Sequence, residues 1–290
     1  MRYITYCILI LTATFCLQCD IINPEETVPA FLYIEPFSLQ TDELVQGSAS
    51  EKITEVWVTV NDEFLGAYQL PATVPVLMSG EAEIFLEAGI KDNGIGSTPE
   101  IYPFYQPYET TVTLMPDQTT TISPTTSYSR DTRFALIENF ESGTSVFRDT
   151  LLGNSGLQVS STDPFEGSYS GKIRLSADDP VVELATIGAF TELTDRSPFV
   201  YLEVNYQSDA PVIFGLAGGA GTSNPNIVFD PGFNPKASWN KIYFNLSALL
   251  ATSPYDSHKL ALRAFIPTED GQLTLNNATV CLDNIKLVHF

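Results

Sequence analysis

Cysteine is scarce in this chain and poorly placed for structural work. Of its four cysteines, Cys7, Cys16 and Cys19 fall near the N-terminus and Cys281 stands alone. No disulfide framework can be drawn from them, so the folded part must stand on hydrophobic cores. Histidine is as rare, with only His258 and His289, and a four-ligand zinc site cannot be assembled at the usual spacings. Positive charge is short: 14 Lys and Arg face 35 Asp and Glu, a net charge of −21. That excludes nucleic acid as a partner, because holding its phosphates takes clustered Lys and Arg. It equally argues against adhesion to anionic lipid by charge. No apolar run approaches the roughly 20 residues that cross a bilayer. G-x-S-x-G, H-E-x-x-H and P-loop motifs are missing. The glycine-rich "GLAGGAG" (Gly215–Gly221) follows a β-like run with no helix behind it, so it reads as a loop and not a phosphate cradle. The many acids leave carboxylate pairs of the glycosidase kind, whose separation no sequence gives. The reading is non-enzymatic, with no cofactor required.

The N-terminus carries the first positive signal. "MRYITYCILILTATFCLQCD" has one charge at Arg2 and then an apolar run from Ile4 to Phe15 without an acidic residue. These are the n-region and h-region of a secretory signal. Cys16-Leu17-Gln18-Cys19 has the C-x-x-C spacing of a redox dithiol or half a zinc site, but no βαβ unit surrounds it and no second ligand pair exists. The segment resembles the lipoprotein signals of Bacteroidota, in which a cysteine just after the cut carries the lipid. The resemblance implies Cys19 as the lipidated residue, with Cys16 the runner-up, since Gln18 departs from the small residue usual before the cut. The polar tether "DIINPEETVP" follows, and its Asp20, Glu25 and Glu26 resemble the surface-export tags of that phylum. An ordinary secreted protein is the alternative. Removing residues 1–18 leaves 13 basic against 35 acidic residues, a net charge of −22. A multiply acylated anchor holds stably, and it is the one membrane attachment that the sequence supplies.

Beyond the tether, helical periodicity is nearly absent. Short alternating runs rich in Val, Ile, Tyr, Phe and Thr are punctuated by Gly, Pro, Asn and Asp, the pattern of an all-β protein. The expected organisation is a signal at 1–18, a tether at 19–29, a small β-sandwich at 30–124, a linker at 125–133 and a second β-domain at 134–290. In the first domain Val56, Val58 and Val60 share a face, and Asn61-Asp62 turns the chain into a hairpin. The order of "ITEVWVTVNDEFLGAYQLPATVPVL", "GEAEIFLEAGIKDNG" and "YETTVTL" resembles PEGA-type β-sandwiches, which implies a binding or spacing module. In the second, "IENFE", "GKIRL", "YLEVNYQSDAPVIFGL", "WNKIYFNL" and "LDNIKLV" resemble the galactose-binding-like jelly rolls, which include many carbohydrate-binding modules. The fold also serves as a plain protein-interaction module.

Alternation divides the jelly-roll strands into two faces. Leu202, Val204, Tyr206, Ile242, Phe244, Leu246, Leu260, Leu262 and Ala264 form the apolar set. Tyr201, Glu203, Asn205, Lys241, Tyr243, Asn245, Arg263 and Phe265 point the other way and form the candidate binding face. A mixture of ring, amide, acid and guanidinium suits a sugar, with an aromatic against its C–H face and planar polar groups on its hydroxyls. The same face could instead be covered by a loop, the first domain or a partner protein. The jelly-roll resemblance further implies a structural Ca²⁺ joining the first and last strands, with Glu138, Glu141 and Asp283 as candidate ligands; a solvated set of acids is the other reading. "STPEIYPFYQPYE" (Ser97–Glu109) interleaves Tyr102, Phe104, Tyr105 and Tyr108 with prolines, and packing is favoured over an exposed contact loop. Asp149-Thr150-Leu151 matches the Bacteroidota O-glycosylation pattern at Thr150, beside the plain reading of an unmodified loop. Cys281 reads as a small buried apolar residue and not as a reactive thiol.

Together these features lead us to expect a lipid-anchored outer-membrane protein exposed at the cell surface, with periplasmic-facing attachment as the alternative. The first expectation for its role is an accessory or scaffold subunit of an outer-membrane protein complex; the alternative is a surface glycan-binding lipoprotein. Mass spectrometry of the mature N-terminus should find it starting at a lipidated Cys19. An unlipidated start beyond Cys19 would remove the anchor.

Overall fold

The computed structural model describes residues 28–219 and 226–290. Cys16, Cys19, most of the tether and the tip of the glycine-rich loop lie outside the described residues. The described chain is nearly all β, as its alternation predicts, with two short helices at Glu43–Gln46 and Ser247–Thr252.

The first domain is a small sandwich. Its larger sheet runs Glu63–Gln69, Glu55–Val60, Gly80–Lys91 and Pro99–Ile101, and Tyr108–Leu114 also pairs with Gly80–Lys91. Opposite it, Ala30–Ile34 lies between Ala72–Val76, antiparallel, and Thr119–Ile122, parallel. Val56, Val58 and Val60 all point into the core, and the hairpin turns at Asn61 and Asp62, both at positive φ. Asn and Asp tolerate that region better than other side chains with a Cβ. The expected linker is partly a strand: Thr125–Ser127 pairs in parallel with Ser38–Gln40 of the first domain.

The second domain is a two-sheet jelly roll. One sheet has the order Gln158–Ser160, Ser170–Ser176, Asn277–His289, Val200–Ser208 and Lys236–Asn245, with Arg133–Glu138 also pairing Asn277–His289. The other has the order Asp149–Leu152, Val181–Ala185, Ser257–Phe265, Val212–Gly218 and Asn226–Phe233. The apolar set read from alternation fills the space between them: Leu202, Val204, Phe244, Leu260, Leu262 and Ala264 are fully buried in one core cluster. Burying side chains of this size is worth roughly 1.5–3 kcal/mol each, which is what a domain without disulfides needs.

The two domains share apolar packing. Tyr201, Tyr243 and Val288 project from the first jelly-roll sheet into the core cluster of the small sandwich, among Tyr102, Phe104 and Tyr105. The centre of that sheet is therefore covered on both faces, although Gln158 and Arg174 at its edge stay exposed, while the second jelly-roll sheet has one face against the core and one free of the first domain.

Within the free sheet, Gly215 sits at a register shift against the strand Asn226–Phe233. A Cβ there would meet the Val228 carbonyl oxygen at 2.0 Å. Gly215→Ala should lower unfolding stability by about 1–3 kcal/mol, the usual cost of overpacking. Urea titration measures it, and an unchanged midpoint would contradict this strand pairing.

Candidate functional site

Six of the eight candidate face residues lie where the alternation put them, but they do not face solvent. Tyr201, Glu203, Asn205, Lys241 and Tyr243 are buried and Asn245 is half-buried. The first domain covers them, one of the coverings that the sequence left open. Arg263 and Phe265 belong to the other sheet, so the expected single face is two faces on opposite sides of the jelly roll. Alternation assigns a side of a strand; it does not say which sheet the strand joins.

The covered face is held by a polar network around Glu203. The phenols of Tyr102 and Tyr128 donate to its Oε1 at 2.8 and 2.7 Å, and Lys241 Nζ lies 2.7 Å from its Oε2. Lys286 Nζ donates to the Ser48 carbonyl at 2.7 Å and sits over the Tyr128 ring. The hydroxyls of Tyr105 and Tyr243 meet at 3.2 Å, and the Lys52 N–H donates to the Tyr243 oxygen at 3.0 Å. Asn205 Nδ2 donates to Ser50 Oγ. Burial pushes the Glu203 carboxyl up, but Lys241 and Lys286 outweigh it and hold it below the ordinary value. Burial pulls the Lys286 ammonium down to about 8, against the opposing pull of Glu203. The aromatic loop around Tyr102 to Tyr105 thus packs, as favoured from its sequence, and what it packs against is the second domain.

The free sheet carries Arg263. Its cross-strand partner is Glu183, whose Oε1 accepts from Arg263 Nε at 2.7 Å and lies 2.5 Å from its second terminal nitrogen. The guanidinium carbon lies 4.5 Å from the centre of the Phe229 ring. Beneath these, Ala185, Ala217 and Ala261 form a small-residue floor, with Ile227 and Phe229 packed on it. Beside the pair lies a groove of about 510 Å³ walled by Leu152, Val181, Ile213 and Phe265, with Glu183 and Arg263 on its lining. The Arg263 side chain is 40% exposed, and its contact with Glu183 uses only part of its five donors. The result is an aromatic-backed, planar donor–acceptor pair on an open apolar groove. Sequence reading reached Arg263 and Phe265 but missed Glu183 and Phe229. "VVELA" and "NIVFD" show the outward Glu and Phe only after strand pairing is known.

A larger groove of about 640 Å³ lies on the first domain, lined by Thr59, Asp62, Glu83, Phe85 and Glu109 among others. It offers carboxylate acceptors and threonine hydroxyls but no cation, which makes it the poorer match for a ligand rich in both donors and acceptors. Elsewhere, Ser253 Oγ lies 2.6 Å from His258 Nε2, yet it also accepts the Tyr255 N–H next to the helix Ser247–Thr252. That contact fastens a loop.

The three calcium candidates are not brought together as a ligand set. Glu138 accepts the N–H groups of Phe140 and Val146. Glu141 accepts those of Ser168 and Tyr169, and Asp283 accepts those of Phe165 and Asn284. Among the described residues no three His, Cys, Asp or Glu converge as a metal site. Burial pushes Asp283 up to about 7. Glu141 and Asp283 both hold the 165–169 loop while Glu138 holds the one at 140–146, so the three do not converge as one ligand set here. Cys281 is free and buried, and burial pushes its thiol up. Thr150 is exposed on the edge strand Asp149–Leu152.

No protein-family model matches the chain, and no curated protein matches it. Among solved structures it is similar to a structure of carbohydrate-binding modules from the β-sandwich superfamily, at 14% identity over 91% of this chain and 99% of that one, with a TM-score of 0.40. It is also similar to the CBM22-1 xylan-binding domain of Paenibacillus barcinonensis Xyn10C (16% identity, 56% and 96% covered, TM-score 0.36). A third is the family 30 carbohydrate-binding module of a Clostridium thermocellum cellulosomal cellulase (13%, 49% and 94%, TM-score 0.35). At such identities and TM-scores a likeness says nothing of what this chain binds.

The network around Glu203 has a pH signature. Burial raises the phenols of Tyr102, Tyr105, Tyr128 and Tyr243 well above their ordinary value of 10. A group whose folded pKa is raised gives stability that is complete below its unfolded pKa and is lost as pH rises beyond it. Lys286, lowered to about 8 from 10.5, has the opposite sign and adds stability as pH rises between those values. Stability should therefore fall above about pH 10, where unfolded tyrosine ionises. Tyrosinate absorbance from these four should appear only together with unfolding; their ionisation near pH 10 in a folded protein would contradict the sealed interface.

Proposed function

We propose that this protein is a non-catalytic glycan-binding protein that uses the free sheet of its jelly roll. The observation that carries the reading is the Arg263–Glu183 pair, backed by Phe229, on a groove that the first domain leaves open. A sugar ring presents hydroxyls that both donate and accept, and a C–H face that prefers an aromatic or aliphatic wall. The pair supplies fixed planar donors and an acceptor, while Phe265, Val181 and Ile213 supply the wall. The groove is of the size that small-ligand sites commonly have. Leu152 belongs to the edge strand that exposes Thr150, so a glycan attached at Thr150 would stand beside the groove.

The proposal includes a lipid at Cys19 and an outer-membrane, surface-facing location, with the small PEGA-like sandwich as spacer. The accessory-subunit reading had the same jelly-roll faces to dock with, and the protein's own first domain now occupies one of them. A protein partner would have only the free face, where a partly exposed ion pair on a groove suits small hydroxylated ligands better than a flat apolar interface.

Affinity electrophoresis against a panel of polysaccharides tests this. Arg263→Ala should weaken retardation about tenfold or more, as loss of a charged hydrogen-bonding group does. Failure of the wild-type protein to be retarded by any polysaccharide would end the reading. Stoichiometric outer-membrane proteins in a detergent pull-down would favour the subunit instead.

A further inference from the structure

The pole of the first domain where the described chain begins is unusually apolar. Val28 is 52% exposed, Leu77 71% and Met115 50%. The topology places them together. Ala30 pairs with Val76, the Asp117 N–H donates to the Pro29 carbonyl at 2.9 Å, and Gly80 pairs with Leu114. Phe64, 60% exposed, follows the adjoining hairpin turn, where Asn61 Nδ2 contacts Met78 Sδ at 3.5 Å. None of the four belongs to the core clusters. Scattered surface apolar residues need no explanation, but several gathered at one pole mark a contact surface.

We infer that this pole rests on a lipid surface, as a second membrane contact beside the lipid anchor. The inference depends on the anchor reading above. It commits to lipid because residues 1–27, which lie outside the described residues, join the fold at Val28 in the middle of the patch. A lipid at Cys19 would leave eight residues between the anchor and Val28, a span of roughly 30 Å at most when extended. The tether therefore delivers this pole, and no other, to the bilayer. Its charges specify the kind of surface: Asp62, Glu63, Glu81 and Asp117 are exposed around the patch with no basic residue among them. Apolar side chains can enter the headgroup boundary of a zwitterionic leaflet, and an anionic one repels the acidic rim.

The mature, lipidated protein carrying Leu77→Trp, reconstituted in vesicles, tests this, with Met115→Trp as the second probe should the first not fold. In phosphatidylcholine vesicles the introduced indole should emit further to the blue and be quenched by brominated phosphatidylcholine. Adding phosphatidylglycerol at low salt should reduce the quenching, and raising the salt should restore it. Co-flotation without quenching for either probe overturns the pole contact and leaves the anchor standing. Absence of co-flotation overturns both. A dimer that Leu77→Ser dissociates, seen by sedimentation, assigns the patch to a second copy and also overturns the proposal.

Discussion

The Glu203 carboxylate, fully buried between two domains, is the constraint on which the rest of the molecule depends. A charge in that position costs several kcal/mol in lost hydration unless its oxygens are satisfied in good geometry. Here Oε1 is satisfied by two phenol hydrogen bonds from across the joint, while Oε2 is balanced by the charge of Lys241 at 2.7 Å without hydrogen-bonding geometry. Lys241 comes from the neighbouring strand of its own sheet, and Tyr102 and Tyr128 come from the first domain and the segment that follows it. Separating the domains would strip both phenols from the carboxylate and expose Tyr201, Tyr243 and Val288, which pack in the first domain's core cluster. The apolar and the polar parts of the joint therefore favour the same docked arrangement. The network restricts its geometry in a way that apolar contact alone would not.

Sealing one sheet decides what the other can do. A two-sheet jelly roll has two outer faces, and docking covers the centre of one. On the remaining face, residues opposite one another across strands build the groove, where Glu183 faces Arg263 and Val181 faces Phe265, and beside it Gly215 faces Phe229. Gly215 permits the close approach of the strand that carries Phe229, so the aromatic backing of Arg263 traces to one missing Cβ. Residues that are unremarkable along the chain become a site because strand register aligns them.

The extent to which this was legible in the sequence follows from the same physics. Strand alternation identified the buried partners correctly: Leu202, Val204, Phe244, Leu260 and Leu262 are core, and Tyr201, Glu203, Lys241 and Tyr243 point away from it. The hairpin at Asn61-Asp62 was legible because its backbone chemistry is local. The surroundings of the polar face were not legible. A strand reading KIYFN presents Lys241 and Tyr243 in the same way whether water or another domain lies beyond them. Their partners are also remote, since Tyr102 and Glu203 are about a hundred positions apart. Sheet membership was hidden for a related reason. Arg263 shares the outward parity of Glu203, and only non-local pairing puts them on opposite sides of the jelly roll. The carboxylates Glu138, Glu141 and Asp283 were candidate ligands only through the jelly-roll resemblance, and their backbone N–H partners come from loops with no pattern to announce them.

The geometry of the first domain connects the two ends of the molecule. Strand Gly80–Lys91 begins at the apolar pole and ends at the joint, where Asp92 bridges to Tyr243 and the Asn93 N–H donates to the Tyr243 carbonyl. Twelve residues of strand span about 36 Å at the usual rise. In the proposed arrangement, a module tethered at one end and locked to the jelly roll at the other would act as a spacer of that length. A flexible linker of equal reach would let the jelly roll explore many orientations, and each binding event would have to select one of them. The buried network removes that freedom beforehand, so that under the proposed function a ligand on the free sheet would meet a groove already oriented relative to the anchor. On this argument the polar face that looked like the binding surface would serve the proposed site indirectly, by fixing the direction in which the other face points.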